Sequence, residues 1–168
     1  EFSHPGGGAV LAMQGSSAIA RGLAKAAFSL DAPACTQLIQ NSLHAKGVVW
    51  TWEKLLIPVL FAIGKKWESS GQGIEAEHIL SECITGQLKQ ISDQLTAPIN
   101  MRPVLLAAAV DELHTIPQYV VAAALAERKI GSRSLGARVP HDSLLNAIKR
   151  LAPAAVLIWA QIPVKTIP

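Results

Sequence analysis

The sequence predicts a helical bundle followed by a parallel α/β domain. Over the first hundred residues, apolar side chains recur at helical spacing. After residue 103, short apolar runs alternate with helical patterns, which is typical of a parallel sheet with crossover helices. The segment 98–103 contains two prolines and separates the two patterns, so it is predicted to be a linker. With 168 residues, half of them hydrophobic, the chain has enough apolar material for both cores.

Four helices are predicted within residues 9–97, after a disordered lead-in or tag remnant at 1–8. They are expected at about 10–30, 31–46, 50–67 and 74–95. Asp31 suits the N-cap of the second helix and Gly47 its end. Pro58 lies inside the third helix and is expected to bend it or to move its start. Short connections between such helices are typical of a four-helix bundle.

The second half, 104–168, is predicted to be a partial α/β domain. Strands are expected at 104–109, 132–135 and 155–159, and helices at about 118–128 and 142–151. Three strands are fewer than a doubly wound sheet normally has, so the domain is expected to be incomplete at its C-terminus. The outer edge of the third strand is expected to be exposed.

Composition and charge exclude several classes of protein. The net charge of +3 is mild, and no basic cluster is interleaved with aromatic residues, so the chain itself is not expected to bind nucleic acid. The longest apolar runs, 55–64 and 103–110, are too short for a membrane helix, and no signal peptide is evident. Cys35 and Cys83 both lie in helical patterns, which indicates reduced thiols in the cytoplasm.

One candidate site is the turn between the third and fourth helices. Trp67 ends one helix, and Glu77 and His78 begin the next. The pattern places a flat ring, an acid and a metal-binding imidazole near one corner. Each residue also has an ordinary explanation, because Trp67 suits a core, Glu77 suits a helix N-terminus and His78 suits a surface.

A second candidate is His114, in the loop after the first predicted strand. If the strand order is 2-1-3, this loop borders the point where ligands bind in open α/β sheets. Its imidazole suits a metal ligand, with Asp111 or Glu112 holding the other ring nitrogen. The alternative is a solvated histidine beside two ordinary acids. Neither a catalytic nucleophile, a phosphate-binding loop nor a zinc-binding cluster is evident.

These residues resemble a known family. Trp67, nine intervening residues and Glu77-His78 resemble the Trp–x9–Glu-His signature of the cobalamin-binding, light-sensing domain of CarH-type regulators in the MerR family. The segment 112–117 looks like that family's acid–x–His–x–x–Gly loop, and 135–140 resembles its loop after the second strand. The resemblance spans about 9–163. Pro117 replaces the loop glycine, and 159–161 replaces the family's Ser–x–Leu element.

The resemblance implies a four-helix bundle, a linker and a flavodoxin-like, Rossmann-like cobalamin-binding domain. It implies that His114 is the lower axial ligand of cobalt and that the helical corner covers the upper face. His78 is the implied candidate for an upper axial ligand after photolysis. The implied cofactor-binding residues are Trp67, Ile74, Glu77, His78, Asp111, Glu112, His114, Thr115, Ile116, Pro117 and Gln161.

The implied function is that of a bacterial, cytoplasmic photoreceptor that regulates transcription and is not an enzyme. Adenosylcobalamin, or another cobalamin, would bind between the bundle and the α/β domain. Light would remove the upper ligand and change the domain arrangement or the oligomeric state. The implied partners are cobalamin, further copies in a dimer or tetramer, and promoter DNA through a DNA-binding domain absent from this chain; no membrane is expected.

Two alternatives remain open. The same layout occurs in corrinoid carrier modules for methyl transfer, which need an open upper face, so a bulky Trp67 argues against that class. The other alternative is a sensor of the same fold that binds another tetrapyrrole or effector.

Overall fold

The computed structural model of the chain describes residues 17–161. The predicted lead-in at 1–8, and the part of the first predicted helix before residue 17, lie outside the described residues. The helical half consists of α1 (Ala18–Phe28), α2 (Ala32–Lys46), α3 (Val48–Thr51), a π-helical turn (Trp52–Leu56), α4 (Ile57–Ser70) and α5 (Ile74–Asp93). Because α3, the π turn and α4 follow one another without a break, they form one helical segment. The described residues therefore contain the four predicted helical segments.

Side chains cap the first two helices as their sequences require. The Ser17 hydroxyl accepts a hydrogen bond from the Ala20 N–H (3.2 Å), and the Asp31 carboxylate accepts one from the Ala34 N–H (3.0 Å). Gly47 follows α2 with a φ of 79°, a left-handed conformation that glycine adopts readily. The predicted start and end of the second helix are confirmed.

The prediction that the third helix starts near Trp50 was wrong by two residues. The helix starts at Val48, directly after Gly47. The π turn precedes Pro58, and in it the N–H of Ile57 donates to the carbonyl of Trp52, five residues back. A proline ring crowds the preceding turn of a regular α-helix and supplies no N–H. The wider turn takes in one extra residue at this point, so the helix continues through Pro58.

The core of the helical half comes from the apolar face of each helix. Among the fully buried side chains are Leu23, Ile39, Leu55, Leu56, Val59, Ile63, Leu80 and Ile84. The helical periodicity had placed those of the third and fourth helices on buried faces. Trp67 is an exception, because 43% of it is exposed. No helix in the described part of the chain is long and apolar enough to span a bilayer.

The second half is a three-stranded parallel sheet with two helices. Its elements are β1 (Val104–Ala108), α6 (Ile116–Glu127), β2 (Ser132–Ser134), α7 (His141–Leu151) and β3 (Ala155–Trp159). The strand order is β2-β1-β3, and Leu105 of β1 pairs with Arg133 and with Val156. The predicted parallel α/β architecture is confirmed. The strand order is the one that the sequence analysis gave as the condition for a binding edge beside the loop after β1.

The central strand β1 carries the core of this half. Four of its five residues are buried, as expected for a strand between two others with a helix packed against it. Leu105 and Ala107 pack with Val139 and Leu144, and the partly buried Ala147, Ile148 and Leu151 pack against that cluster. Leu135 lies outside β2, contrary to the prediction, although its N–H still donates to the Leu106 carbonyl (2.8 Å).

The chain divides into two compact units between Gln87 and Leu88, within α5. The predicted division at 98–103 therefore remains a prediction.

In the second unit, Asn100 fixes the proline-containing stretch onto the turn before β2. Its amide nitrogen donates to the Gly131 carbonyl (2.9 Å), and its amide oxygen accepts from the Gly131 N–H (2.6 Å).

Candidate functional site

The loop after β1 holds His114 against a buried carboxylate. Glu112 is fully buried, whereas 51% of the His114 side chain is exposed. One carboxylate oxygen of Glu112, Oε1, lies 2.6 Å from His114 Nδ1. The same oxygen accepts a hydrogen bond from the His114 backbone N–H (2.8 Å). Glu112 therefore fixes both the backbone and the ring of His114.

This contact determines what the imidazole can do. A carboxylate oxygen that already accepts a backbone N–H favours a proton on the facing Nδ1. In the neutral ring the other nitrogen, Nε2, then keeps its lone pair. A ring held in this tautomer by a carboxylate is the usual arrangement of a metal-binding histidine. Asp111, the other acid considered from the sequence, is exposed, so the structure assigns this role to Glu112.

Glu112 also connects the loops that follow the three strands. Its second carboxylate oxygen, Oε2, accepts a hydrogen bond from the backbone N–H of Gln161, after β3 (2.5 Å). Its backbone carbonyl accepts from the N–H of Arg138, after β2 (3.0 Å). Because parallel strands end at the same edge of a sheet, these three loops meet where ligands bind in open α/β sheets. The Gln161 contact uses backbone, so it does not require the Gln161 side chain.

The residues after His114 begin a helix. Thr115 precedes α6, and its carbonyl accepts the Gln118 N–H (3.0 Å). Ile116 and Pro117 form the first turn of α6, where a proline fits because the first N–H groups of a helix have no partner within it. Pro117 is therefore compatible with the loop, although glycine is usual in the family it resembles.

Sequence reasoning missed Gln118. This side chain is fully buried, and it donates to the Gly136 carbonyl (3.2 Å) and accepts from the Ser134 hydroxyl (3.1 Å). It thereby ties α6 to the end of β2 and to the loop that follows. The sequence offered one signal for the burial of Gln118. This residue is four positions before Ala122, so the two lie on the same, buried side of the helix.

Two buried nitrogens at the same edge have no hydrogen-bond partner in the described part of the chain. They are Nε2 of His141, the first residue of α7, and Nε1 of Trp159, the last residue of β3. A buried polar atom without a partner costs on the order of 1–3 kcal/mol. A ligand or water at this edge would remove that cost.

The helical corner between α4 and α5 is set by two glycines. Gly71 has a φ of 66° and donates its N–H to the Trp67 carbonyl (2.7 Å), which ends α4. Gly73 has a φ of 107°, and its carbonyl accepts the Glu77 N–H (3.0 Å). A Cβ on Gly73 would lie 3.1 Å from Phe28 Cε1, so a side chain here would crowd Phe28 and would be strained at this φ.

Four predicted upper-face residues are exposed at this corner. Trp67 lies in the last turn of α4, and Ile74, Glu77 and His78 lie in the first turns of α5. Exposure of these side chains contradicts the alternative in which Trp67 belongs to the core. Their roles toward a ligand remain predictions. The corner belongs to the first compact unit, and the His114 loop belongs to the second.

The side chains that could act as ligands limit the kind of metal that the described residues can bind. Within residues 17–161, no group of three or more His, Cys, Asp or Glu residues could hold a metal ion. The loop after β1 offers one ordered imidazole instead. A single imidazole suits a metal whose other coordination positions are supplied by a macrocycle, and His114 therefore fits a tetrapyrrole-bound metal.

Comparison with known proteins gives three findings. Residues 19–91 match the family model described as a B12 binding domain. The HTH-type transcriptional repressor CarH of Myxococcus xanthus is 30% identical over 126 residues, which is 73% of this chain and 41% of CarH. The crystal structure of the methanol:cobalamin methyltransferase complex MtaBC from Methanosarcina barkeri has a TM-score of 0.45 at 15% identity, covering 94% of this chain and 62% of that chain. This structural likeness is too weak to carry an argument.

The family match and the relative define the class. The helices at 19–91 are similar to a B12 binding domain. Together with the similarity to CarH, this match supports a cobalamin-binding domain of the CarH type, the class that the sequence signature predicts. It spans less than half the length of CarH. The aligned part is 73% of this chain. An alignment of that length includes both the helical corner and the His114 loop, whichever residue of the chain it starts from.

Proposed function

We propose that the chain is the sensor domain of a transcriptional regulator, that it binds adenosylcobalamin, and that it responds to light. One observation carries the proposal: Glu112 holds the His114 ring so that Nε2 is available to a metal. The B12 binding domain match and the similarity to a CarH repressor support cobalamin as the carrier of that metal.

In this proposal His114 would hold the cobalt of the cofactor through Nε2. Glu112 orients the ring and increases its basicity, and the Gln161 N–H holds Glu112 in place. The unpartnered, buried nitrogens of His141 and Trp159 lie at the start of α7 and at the end of β3.

The exposed corner residues are proposed to recognise the upper face of the same cofactor. The Trp67 ring offers a flat surface of the kind that stacks on an adenine base. Glu77 is exposed one turn into α5 and can accept hydrogen bonds from ribose hydroxyls. Ile74 adds an apolar contact beside them.

Adenosylcobalamin supplies a cobalt–carbon bond that visible light breaks. Trp67 and Glu77 would hold the adenosyl group and His114 would hold the cobalt, so only the contacts of Trp67 and Glu77 would depend on that group. His78, next to Glu77, would offer an imidazole to the upper face in its place. A ligand whose affinities for two arrangements of the protein differ with and without the adenosyl group would shift the population of those arrangements. DNA binding and changes of oligomeric state are proposed for the longer protein to which such a sensor belongs.

The test is a visible spectrum of the chain mixed with adenosylcobalamin in the dark, freed of unbound ligand, before and after green light. We expect retained colour in the dark and a changed spectrum after light. Loss of all colour on removal of free ligand would contradict cobalamin binding. Retained colour without a light-induced change would contradict only the light response, and would favour the corrinoid carrier.

His114→Ala is the matched variant for this test. It should weaken cobalamin retention, or shift the spectrum of the bound cofactor. His44→Ala is the control, because His44 is an exposed histidine near the end of α2. Equal spectra and affinity in the parent and His114→Ala would show that the lower ligand is another group.

A further inference from the structure

A cleft lies between β2 and α7, here called the α7 cleft. Its volume is about 570 Å³. Small-molecule sites in proteins are of similar size, roughly 300–1,000 Å³. All the residues that line the cleft belong to the second compact unit. Neither Glu112 nor His114 lines it, so the α7 cleft is distinct from the loop proposed to hold the cofactor.

One wall of the cleft is a single face of α7. Ser143, Asn146 and Arg150 line it at intervals of three and four residues, which places them in one row along the helix. Ala147 and Leu151 line the cleft beside this row, and both pack against the core of this half. The helix therefore presents polar and apolar side chains to the same space.

Arg133 and Leu135 line the opposite wall. Side chains alternate between the two faces of a sheet along a strand. Because the Ser134 hydroxyl donates to Gln118 of α6 (3.1 Å), the residues on either side of Ser134 face α7. In the sheet Arg133 pairs with Leu105, which is fully buried. A face of a parallel sheet that a helix covers is normally apolar, so an arginine here calls for an explanation.

The cleft collects polar groups that the described part of the chain leaves unused. Arg133 donates from Nη1 to the Ser132 carbonyl (2.8 Å), which occupies only one of its five N–H groups. Among residues 17–161, neither Arg133 nor Arg150 has an ion-pair partner. Within the same range the side chains of Ser143 and Asn146 make no hydrogen bond. None of the described residues that line the cleft is acidic.

The two arginines are not equally informative. Arg150 alone would not indicate a site, because an arginine in the last turn of a helix complements its carbonyl end. Arg133 faces the cleft from the middle of a strand, where no such reason applies. Two guanidinium groups in one cleft without a carboxylate repel each other. An oxyanion between them offsets this repulsion, and the planar guanidinium group matches the geometry of carboxylate and phosphate.

We propose that the α7 cleft binds a small organic anion, with a carboxylate or phosphate group on an apolar body. Arg133 and Arg150 would bind the oxyanion, and Ser143 and Asn146 would add hydrogen bonds. Leu135 would contact the apolar body. A small molecule is favoured over a nucleic acid because the cleft is concave with apolar side chains in its walls, whereas binding of a phosphate backbone depends on an extended row of cations.

The test is isothermal titration of the full chain without cobalamin, in a low-salt buffer that contains neither phosphate nor carboxylate. Phenyl phosphate and benzoate are the probes, and at least one should bind with a Kd of about 0.1–1 mM. The tighter of the two identifies the oxyanion. Inorganic phosphate and acetate should bind at least tenfold more weakly than the matching probe, because they lack the apolar body. No binding of either probe up to about 10 mM, or equal binding of the small anions, would overturn the proposal.

Two variants locate the bound probe. Arg133→Gln and Arg150→Gln should each raise its Kd about tenfold, because each removes a charged hydrogen-bond donor from the cleft. Both arginines are exposed, so the circular dichroism spectrum should not change. Arg128→Gln is the matched control, since Arg128 is an exposed arginine at the end of α6 that does not line the cleft. It should change the Kd less than about twofold, as expected for a distant surface charge.

The amide resonances of the chain provide a second readout. Addition of the probe should shift those of residues 133–135 and 143–151, which form the two walls. Equal effects of all three substitutions, or shifts confined to the His114 loop, would overturn the proposal. So would a single-stranded oligonucleotide that binds more tightly than either probe and loses affinity in Arg133→Gln and Arg150→Gln, because the cleft would then belong to a nucleic-acid surface.

Discussion

At the scale of single residues, Glu112 is the group on which the His114 loop depends. Its two carboxylate oxygens accept hydrogen bonds from the ring and backbone of His114 and from the backbone of Gln161. A glutamine has only one side-chain oxygen, and its NH₂ group would face an N–H donor on one side or the other.

Glu112→Gln should therefore leave at least one buried donor unpaired. We expect a loss of about 1–3 kcal/mol in the free energy of unfolding, and about a 10–100-fold loss in affinity for cobalamin. Denaturant unfolding and titration with the cofactor measure the two effects. Glu82→Gln is the control, because Glu82 is an exposed glutamate of α5 and should change neither. An equal effect of both substitutions would contradict the role assigned to Glu112.

Cys35 provides a pH-dependent test of burial in the helical half. Burial, with smaller effects of Cys83 and Asp31, raises the pKa of the Cys35 thiol from 9.0 to about 11. The folded chain keeps this proton where the unfolded chain has released it. The stability contributed by the protonated thiol is therefore complete below pH 9 and is lost as the pH rises from 9 to about 11.

Urea unfolding of the parent and of Cys35→Ala at about pH 8 and about pH 10.5 measures this contribution, since the two values lie on either side of the ordinary thiol pKa. At the higher pH, the free energy of unfolding of the parent should fall by about 1–2 kcal/mol relative to that of Cys35→Ala. Comparison with the variant removes the common effects of lysine and tyrosine titration. A difference that does not depend on pH would contradict the raised pKa.

At the scale of elements, the α4–α5 corner shows how local backbone geometry positions side chains. Gly71 ends α4 one turn after Trp67, and Gly73 lies directly before α5, one turn before Glu77. The corner is therefore short, and its backbone is fixed by two residues with positive φ.

Gly73→Ala should destabilise the helical half by about 1–3 kcal/mol, because an alanine is strained at positive φ and its Cβ would crowd Phe28. Thermal or denaturant unfolding measures this. Gly86→Ala is the matched control, since Gly86 lies in the middle of α5 with open space around it. It should be neutral or should stabilise by up to about 1 kcal/mol. Similar effects at both positions would contradict the role assigned to the corner.

At the scale of the whole molecule, the proposed response depends on ligand contacts in both units. His114 belongs to one unit and Trp67 to the other. A ligand shifts an equilibrium between two arrangements only as far as its affinities for them differ. The residues that distinguish one upper group from another therefore decide how large the response can be.

Trp67→Ala should reduce the preference of the chain for adenosylcobalamin over methylcobalamin, because the flat surface for the adenosyl group is lost. We expect the ratio of the two affinities to fall about tenfold, comparable to the loss of one stacked aromatic contact. Trp50→Ala is the control, as Trp50 is another exposed tryptophan of the helical half. An unchanged ratio in Trp67→Ala would count against the upper-face role of the corner.

The sequence by itself predicted the two-part architecture, the ends of α2, the three strands and the family signature. These depend on local periodicity, on capping residues such as Asp31 and on the spacing of Trp67, Glu77 and His78, all of which can be counted along the chain. The π turn before Pro58 was missed because it is a change in hydrogen bonding that periodicity does not show.

Only the tertiary structure decided how the side chains are used. It chose Glu112 over Asp111 as the partner of His114, placed the backbone of Gln161 on the same carboxylate, and buried Gln118 against the end of β2. It also left Phe61 exposed on α4. The reason is physical: adjacent acids look alike along a chain, whereas a hydrogen bond depends on directions and distances that arise only when residues far apart in sequence are packed together.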